Sequence, residues 1–198
     1  MKKIELLVPT DLQSIPLYQY QEFLNTFENP ENMTDEEASL KMLEIFCGVK
    51  QKEGLKFKMS DVSVVVEKLN KILVTKPSLI TKFTLGGQKF GFVPELSELS
   101  FGEYIDAENN LGDWNSMHKA MAVLYRPIKE EFKDQYTLKD YDGDHYADIL
   151  KNMPTSVAVS CLVFFYALET ELLNHTLNSS LKTLKIKTQP LEQKRISE

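Results

Sequence analysis

Residues 83–128 read FTLGGQKFGFVPELSELSFGEYIDAENNLGDWNSMHKAMAVLYRPI, and the fold class turns on this stretch. Phe83-Thr84-Leu85 and Lys89-Phe90-Gly91-Phe92-Val93 are short apolar-rich runs on either side of Gly86-Gly87. A Gly-Gly pair supplies the positive φ that a tight turn requires, so the stretch predicts a β-hairpin. Pro94 removes a ladder donor and ends the second strand. Ser100-Phe101-Gly102-Glu103 has capping-box spacing, in which the serine hydroxyl accepts from the Glu103 amide and the Glu103 carboxylate returns to the Ser100 amide. A short helix through Tyr104, Ile105 and Asp106 follows from it. Asp113 or Asn115 then opens another helix with Met117, Ala120, Met121 and Leu124 on its inner face, closed by Arg126-Pro127.

Outward from this stretch the pattern is mostly helical. Ile4 to Val8 predicts a strand that gives the hairpin a third partner, since a lone two-stranded ribbon is marginal in water. Ser14 and Pro16 open a helix carrying Leu17, Tyr20, Phe23, Leu24 and Phe27 on one face. Asn29-Pro30-Glu31-Asn32 reads as a turn. Thr34-Asp35-Glu36-Glu37 is a second capping box, ahead of Leu40, Leu43, Phe46 and Cys47 and a stop at Gly48. Residues 50–59 read as a polar connection. Ser60 caps a helix with Val62, Val65, Val66, Leu69, Ile72 and Leu73 that ends at Lys76-Pro77. Residues 132–144 read as irregular, Tyr146 to Met153 as a short helix stopped by Pro154, and Thr155 to about Leu177 as the longest helix. The last is apolar on nearly all sides at Val157, Val159, Leu162, Val163, Phe164 and Phe165, which places it at the centre. The expected fold is therefore mainly α (α+β): one helical domain, residues 1–178, with a small antiparallel hairpin or three-stranded sheet, and a basic C-terminal arm, residues 179–198.

The totals bound the function class. A chain of 198 residues with a net charge of -6 argues against a nucleic-acid binder. Residues 179–198 nonetheless hold Lys182, Lys185, Lys187, Lys194 and Arg195 against Glu192 and Glu198. A basic arm on an acidic body suits contact with a neighbouring copy, and so a homo-oligomer. Cys47 and Cys161 lie in apolar helical runs, where they read as reduced, buried small hydrophobes. Glu5 interrupts the apolar run after Met1-Lys2-Lys3, so it does not read as a signal peptide. Val157 to Leu168 falls far short of the ~20 residues that span a bilayer. Expected are a cytosolic protein, no membrane partner and no cofactor.

Asp140, Asp142, Asp144, His145 and Asp148 form the sharpest ligand-like cluster. With Asp140 as first ligand, the turn glycine comes too early for an EF-hand, and Lys151 stands where a bidentate Glu is needed. An Asp-Gly turn leading into an acidic first helical turn accounts for the same residues. A small metal-dependent hydrolase built on this cluster is kept as the alternative. His118, His145 and His175 lack zinc-ligand spacing, no phosphate loop follows the glycines, and neither G-x-S-x-G nor S-x-x-K occurs. The chain is read as a non-enzyme. Phe101, Tyr104, Asp106, Trp114 and Arg126 are the candidate partner-binding residues: amphipathic aromatics of the interface type, with an arginine fork. Arg126 facing Glu103 or Asp106 also reads as a clamp between two helices.

SIPLYQYQEFL, FTLGG, FGFVPEL, SFGEYID, MHKAMAVLYRPI and MPTSVA, in that order over most of residues 14–175, resemble small uncharacterised proteins from the structural gene regions of tailed phages of gut Bacteroidota, crAss-like phages included. FGEYID and LYRPI are the distinctive pieces. The helix-hairpin-helix plan is also similar to tail assembly chaperones. The resemblance implies a virion structural piece (neck, tail or packaged protein) or an assembly chaperone. It implies other phage structural or assembly proteins as partners, and residence in the host cytoplasm during assembly or in the virion. A host-directed inhibitor is the third expectation.

Overall fold

The hairpin turn forms at Gly86 and Gly87, whose φ angles are 56° and 81°, values at which a Cβ would be strained and glycine is not. The computed structural model describes residues 6–28, 33–133, 135–168 and 170–171. The turn joins β1 (Lys82–Leu85) to β2 (Gln88–Phe92). Phe83 lies opposite Phe90, their rings stacked with centroids 5.3 Å apart, a cross-strand pair that fixes the register. Two further strands, β3 (Tyr125–Phe132) and β4 (Gln135–Leu138), complete a four-stranded antiparallel sheet of order β1-β2-β3-β4.

Around this sheet the chain is helical: α1 (Leu17–Thr26), α2 (Asp35–Cys47), α3 (Gln51–Gly54), α4 (Met59–Leu73), α5 (Phe101–Leu111), α6 (Met117–Leu124), α7 (Ala147–Leu150) and α8 (155–168). The fold is mainly helical α+β, as the apolar spacing indicated. At the start of α2 the Glu37 amide donates to Thr34 Oγ1 at 3.2 Å and the Thr34 amide donates to Glu37 Oε2 at 3.0 Å. Asp35, Glu36 and Glu37 fill its first turn, where negative charge opposes the helix dipole favourably. Thr34→Ala removes the acceptor, and urea unfolding should show about 1 kcal/mol less stability with an unchanged m-value.

Two large apolar clusters, with a small one of Leu43, Val49 and Val62 beside them, fill the interior of the described residues. Leu12, Ile15, Met42, Ile45, Phe46, Leu69 and Ile72 join the segment ahead of α1 to α2 and α4, with Tyr20 and Phe23 of α1 packed against them. The larger one unites the sheet with α6, α7 and the first half of α8 through Phe83, Phe90, Phe92, Met121, Tyr125 and Val157, among others. Residues 15–18 bridge the two. The Leu17 amide donates to Met153 O and the Thr155 amide to Ile15 O, both at 2.8 Å, and Pro16 pairs with Pro154. All residues of α6 except Lys119 are buried, so this helix is the most enclosed element. The expected centre, α8, is enclosed only as far as Cys161. Leu162 to Phe165 are half-buried and Tyr166 is exposed.

Several expectations are corrected. The strand expected over Ile4–Val8 is absent from its described part: Leu6 to Val8 lie outside any strand, with Leu6 and Val8 packed on helical clusters and Leu7 exposed. An extended segment lying across helices alternates in and out as a strand does, without ladder bonds. Its place is taken by β3, which follows α6 with no loop between. Residues 132–138, expected to be irregular, complete a second hairpin. Ser14 lies within a 3-10 turn capped by Asp11, Pro16 is the N-cap residue of α1, and α4 starts at Met59 and stops at Leu73. The polar connection contains α3. The Asn29–Asn32 turn and the arm 179–198 lie outside the described residues.

Candidate docking surface

The Ser100 capping box sets where α5 begins and hence which way its sides face. Ser100 donates its amide to Glu103 Oε2 at 2.6 Å, and the Glu103 amide donates to Ser100 Oγ at 3.3 Å. At 100° per residue, Ala107 and Glu103 then fall on one side of the helix and Phe101, Tyr104, Ile105, Glu108 and Gly112 on the other. Ala107 is buried, whereas Phe101 is 79%, Tyr104 54% and Ile105 37% exposed. A continuous apolar strip of this kind on a water-facing helix is unusual, because single exposed hydrophobics are the norm and aligned ones mark contact sites.

The strip runs into a cleft between α5 and α8 of about 220 Å³, lined by Glu108, Leu111, Gly112, Leu162, Phe165 and Tyr166. Its walls are mostly apolar, with Glu108 the acidic residue among them. A larger open concavity of about 590 Å³ lies by the β3–β4 ribbon, with Pro94, Glu130, Phe132 and Tyr136 among its lining residues. Glu131 there is tied to Lys89 at 2.6 Å and Lys82 at 3.0 Å, and these ammonium groups hold its carboxyl below the usual range.

The other candidate residues have internal partners. The Arg126 guanidinium meets Glu103 Oε1 at 2.5 Å, with both side chains largely covered. Its Nε donates to Val123 O at 3.1 Å, and its guanidinium carbon lies 5.7 Å from the centre of the Tyr141 ring. The ion pair ties α5 to β3, and not one helix to another as the residue types suggested, because the chain is already in strand at Tyr125. Asp106 is exposed and accepts from Tyr141 Oη at 3.0 Å. Trp114 is half-buried and packs edge-on against Tyr20 with ring centres 4.9 Å apart. Phe101 and Tyr104 therefore face solvent, whereas Trp114 and Arg126 are engaged inside the chain. Ile105 and the cleft were missed by the sequence reading. The cue was available, since Phe101, Ile105, Glu108 and Gly112 keep helical spacing with Tyr104 beside them, but periodicity does not say which side is covered.

Asp140, Asp142, His145 and Asp148 are exposed. Asp148 accepts from Lys151 Nζ at 2.7 Å, which lowers its carboxyl. Asp144 opens a 3-10 turn. Among the described residues no three His, Cys, Asp or Glu side chains gather where a metal ion fits. Burial pushes the Cys161 thiol up to about 12 and raises that of Cys47, so their thiolates are scarce at neutral pH. No helix among the described residues is long and apolar enough to cross a membrane. No protein-family model, curated protein or solved structure matches the chain.

Proposed function

We propose that the chain is a non-catalytic bacteriophage protein that works through protein-protein contacts in virion structure or assembly. It serves as a neck or tail component, a packaged protein or a tail assembly chaperone, and its partners are other phage structural or assembly proteins in the host cytoplasm. The observation that carries this reading is the exposed apolar strip of α5, Phe101, Tyr104 and Ile105. An aromatic-rich strip with a polar rim is the composition of an interface core. The motifs FGEYID and LYRPI, which carry the phage resemblance, supply both the strip and the Arg126 clamp behind it.

Because Phe101 is so exposed, Phe101→Ser should change folding stability by no more than about 0.5 kcal/mol. A contact residue of this kind contributes enough that its loss weakens partner binding about tenfold or more. Mass spectrometry of purified particles, from host cells carrying either the wild-type or the Phe101→Ser gene, checks this. A structural piece is present in stoichiometric copies and is depleted by the variant. A chaperone is absent from particles, and the variant lowers particle yield. Unchanged particle content and unchanged yield in Phe101→Ser and Tyr104→Ser overturn the reading.

A further inference from the structure

We propose that the α5 strip and its cleft bind residues 172–198 of the same chain, so that an incoming partner must displace the chain's own tail. This rests on the reading of the α5 face as a docking surface, and it names the first occupant of that surface. Charge is the first argument. From Glu95 to Asp113 the sequence has Glu95, Glu98, Glu103, Asp106, Glu108 and Asp113 and no lysine or arginine. Of these, Glu103 is taken by Arg126, and the other five are exposed. Residues 172–198 have the opposite balance, with Lys182, Lys185, Lys187, Lys194 and Arg195 against Glu192 and Glu198.

The apolar pattern matches as well. Leu173, Leu177, Leu181 and Leu184 recur at intervals of four, four and three, the spacing of a single apolar stripe. Its counterpart on the body is the row from Phe101 through Ile105 into the cleft at Leu162 and Phe165. The basic residues Lys182 and Lys185 flank the last two of these leucines, as the acidic residues Asp106 and Glu108 flank Ile105. A tail with charge alone would sit loosely on the surface; one with leucines alone would have no preference for this face.

Reach is the third argument and selects the same chain over a second copy. Tyr166 lines the cleft and Glu171 is the last described residue, about 8 Å further along at 1.5 Å per helical residue. The strip from Phe101 to Gly112 is about 16 Å long by the same rise. Residues 172–198 span up to about 90 Å when extended, several times what is needed. A tethered segment this close experiences an effective concentration in the millimolar range, above that of a second copy at micromolar protein.

Zero-length carbodiimide cross-linking of the full-length wild-type chain tests it without any substitution. An equimolar mixture of ¹⁴N- and ¹⁵N-labelled protein separates links within a chain from links between chains. The expected result is isopeptide bonds from Lys182, Lys185 or Lys187 to Glu98, Asp106 or Glu108, in monomer-mass protein and without isotope mixing. They should fall several-fold at 1 M salt, where screening shortens to about 3 Å. Mixed-isotope links show a second copy as the occupant and overturn the proposal. So do links spread evenly over carboxylates far from α5, such as Asp35 and Glu36, or no links from these lysines at all. If the α5 links form but Phe101→Ser leaves particles unaffected, the tail contact stands and the assembly role falls. If Phe101→Ser depletes particles and the links are absent, the assembly role stands and the tail contact falls.

Discussion

Arg126→Ala should lower the unfolding free energy by about 2–3 kcal/mol, seen as a drop of about 4–10 °C in Tm. The size follows from what one carboxylate does. Glu103 caps the first turn of α5 through Oε2 and holds Arg126 through Oε1. Its side chain is 12% exposed and that of Arg126 14%, so the pair is poorly screened by water. Removing the guanidinium leaves a covered carboxylate with only its capping bond, and costs more than the loss of a surface ion pair. Arg126→Lys keeps the charge but loses the planar fork and the Nε bond to Val123 O, so it should fall between wild type and alanine. Burial alone would raise the Glu103 carboxyl; the Ser100 amide and hydroxyl and then Arg126 outweigh it and hold it below the ordinary value. A carboxyl lowered in the folded state stabilises the fold fully above its unfolded pKa, about 4.3. It loses that contribution as pH falls through the folded value. Acid titration of stability should therefore be shallower below pH ~4 in Arg126→Ala than in wild type. Equal stability of the two proteins at pH 7, or parallel acid limbs, would show that the clamp holds nothing.

How much of this was readable in advance depends on how local the chemistry is. Gly86-Gly87, Thr34/Glu37 and Ser100/Glu103 each fix a turn or cap through residues no more than three apart, and all three form as written. The inner face of α6 was also legible, because Met117, Ala120, Met121 and Leu124 are separated by helical intervals and all are buried. The β3–β4 ribbon was not. Pro127 disqualifies a central strand by ordinary rules, Lys129 to Phe132 are exposed and give no alternation, and the turn uses Lys133 at φ 54° in place of a glycine. Tyr136 and Leu138, both partly covered on alternate positions of β4, were the surviving signal. The aromatics of α5 named as candidate contacts, Phe101 and Tyr104, are exposed, whereas Trp114 and Arg126, grouped with them, have internal partners. Composition marks residues suited to an interface; only tertiary packing decides whether the interface is inside the chain or outside it.

Gly91→Val should cost about 3 kcal/mol, and the reason is the fold-back of that same ribbon. Gly91 lies in β2 between Lys82 on β1 and Arg126 on β3. After the irregularity between Ile128 and Glu130, the β3–β4 ribbon brings Tyr136 over the sheet. A Cβ at position 91 would stand 2.6 Å from Tyr136 Cε2 and 3.1 Å from Leu138 Cδ2. The ring cannot swing away freely, because its hydroxyl donates to Phe92 O at 2.6 Å and Lys82 Nζ sits 5.8 Å from its centre. Inserting methyl groups under a pinned ring forces the ribbon off the sheet, a cost of about 1–3 kcal/mol for overpacking. Valine carries two branches into that space. Alanine should cost only about 1 kcal/mol, because its lower backbone entropy in the unfolded chain offsets part of the clash. The decisive comparison is in the Tyr136→Ala background, where only Leu138 still crowds the position and Gly91→Val should cost much less. A coupling of about 2 kcal/mol between the two positions, measured by urea unfolding of the four proteins, marks Tyr136 on Gly91 as the contact that holds the ribbon down. Additive effects would mean that valine is resisted by the strand itself and that the ribbon is held elsewhere.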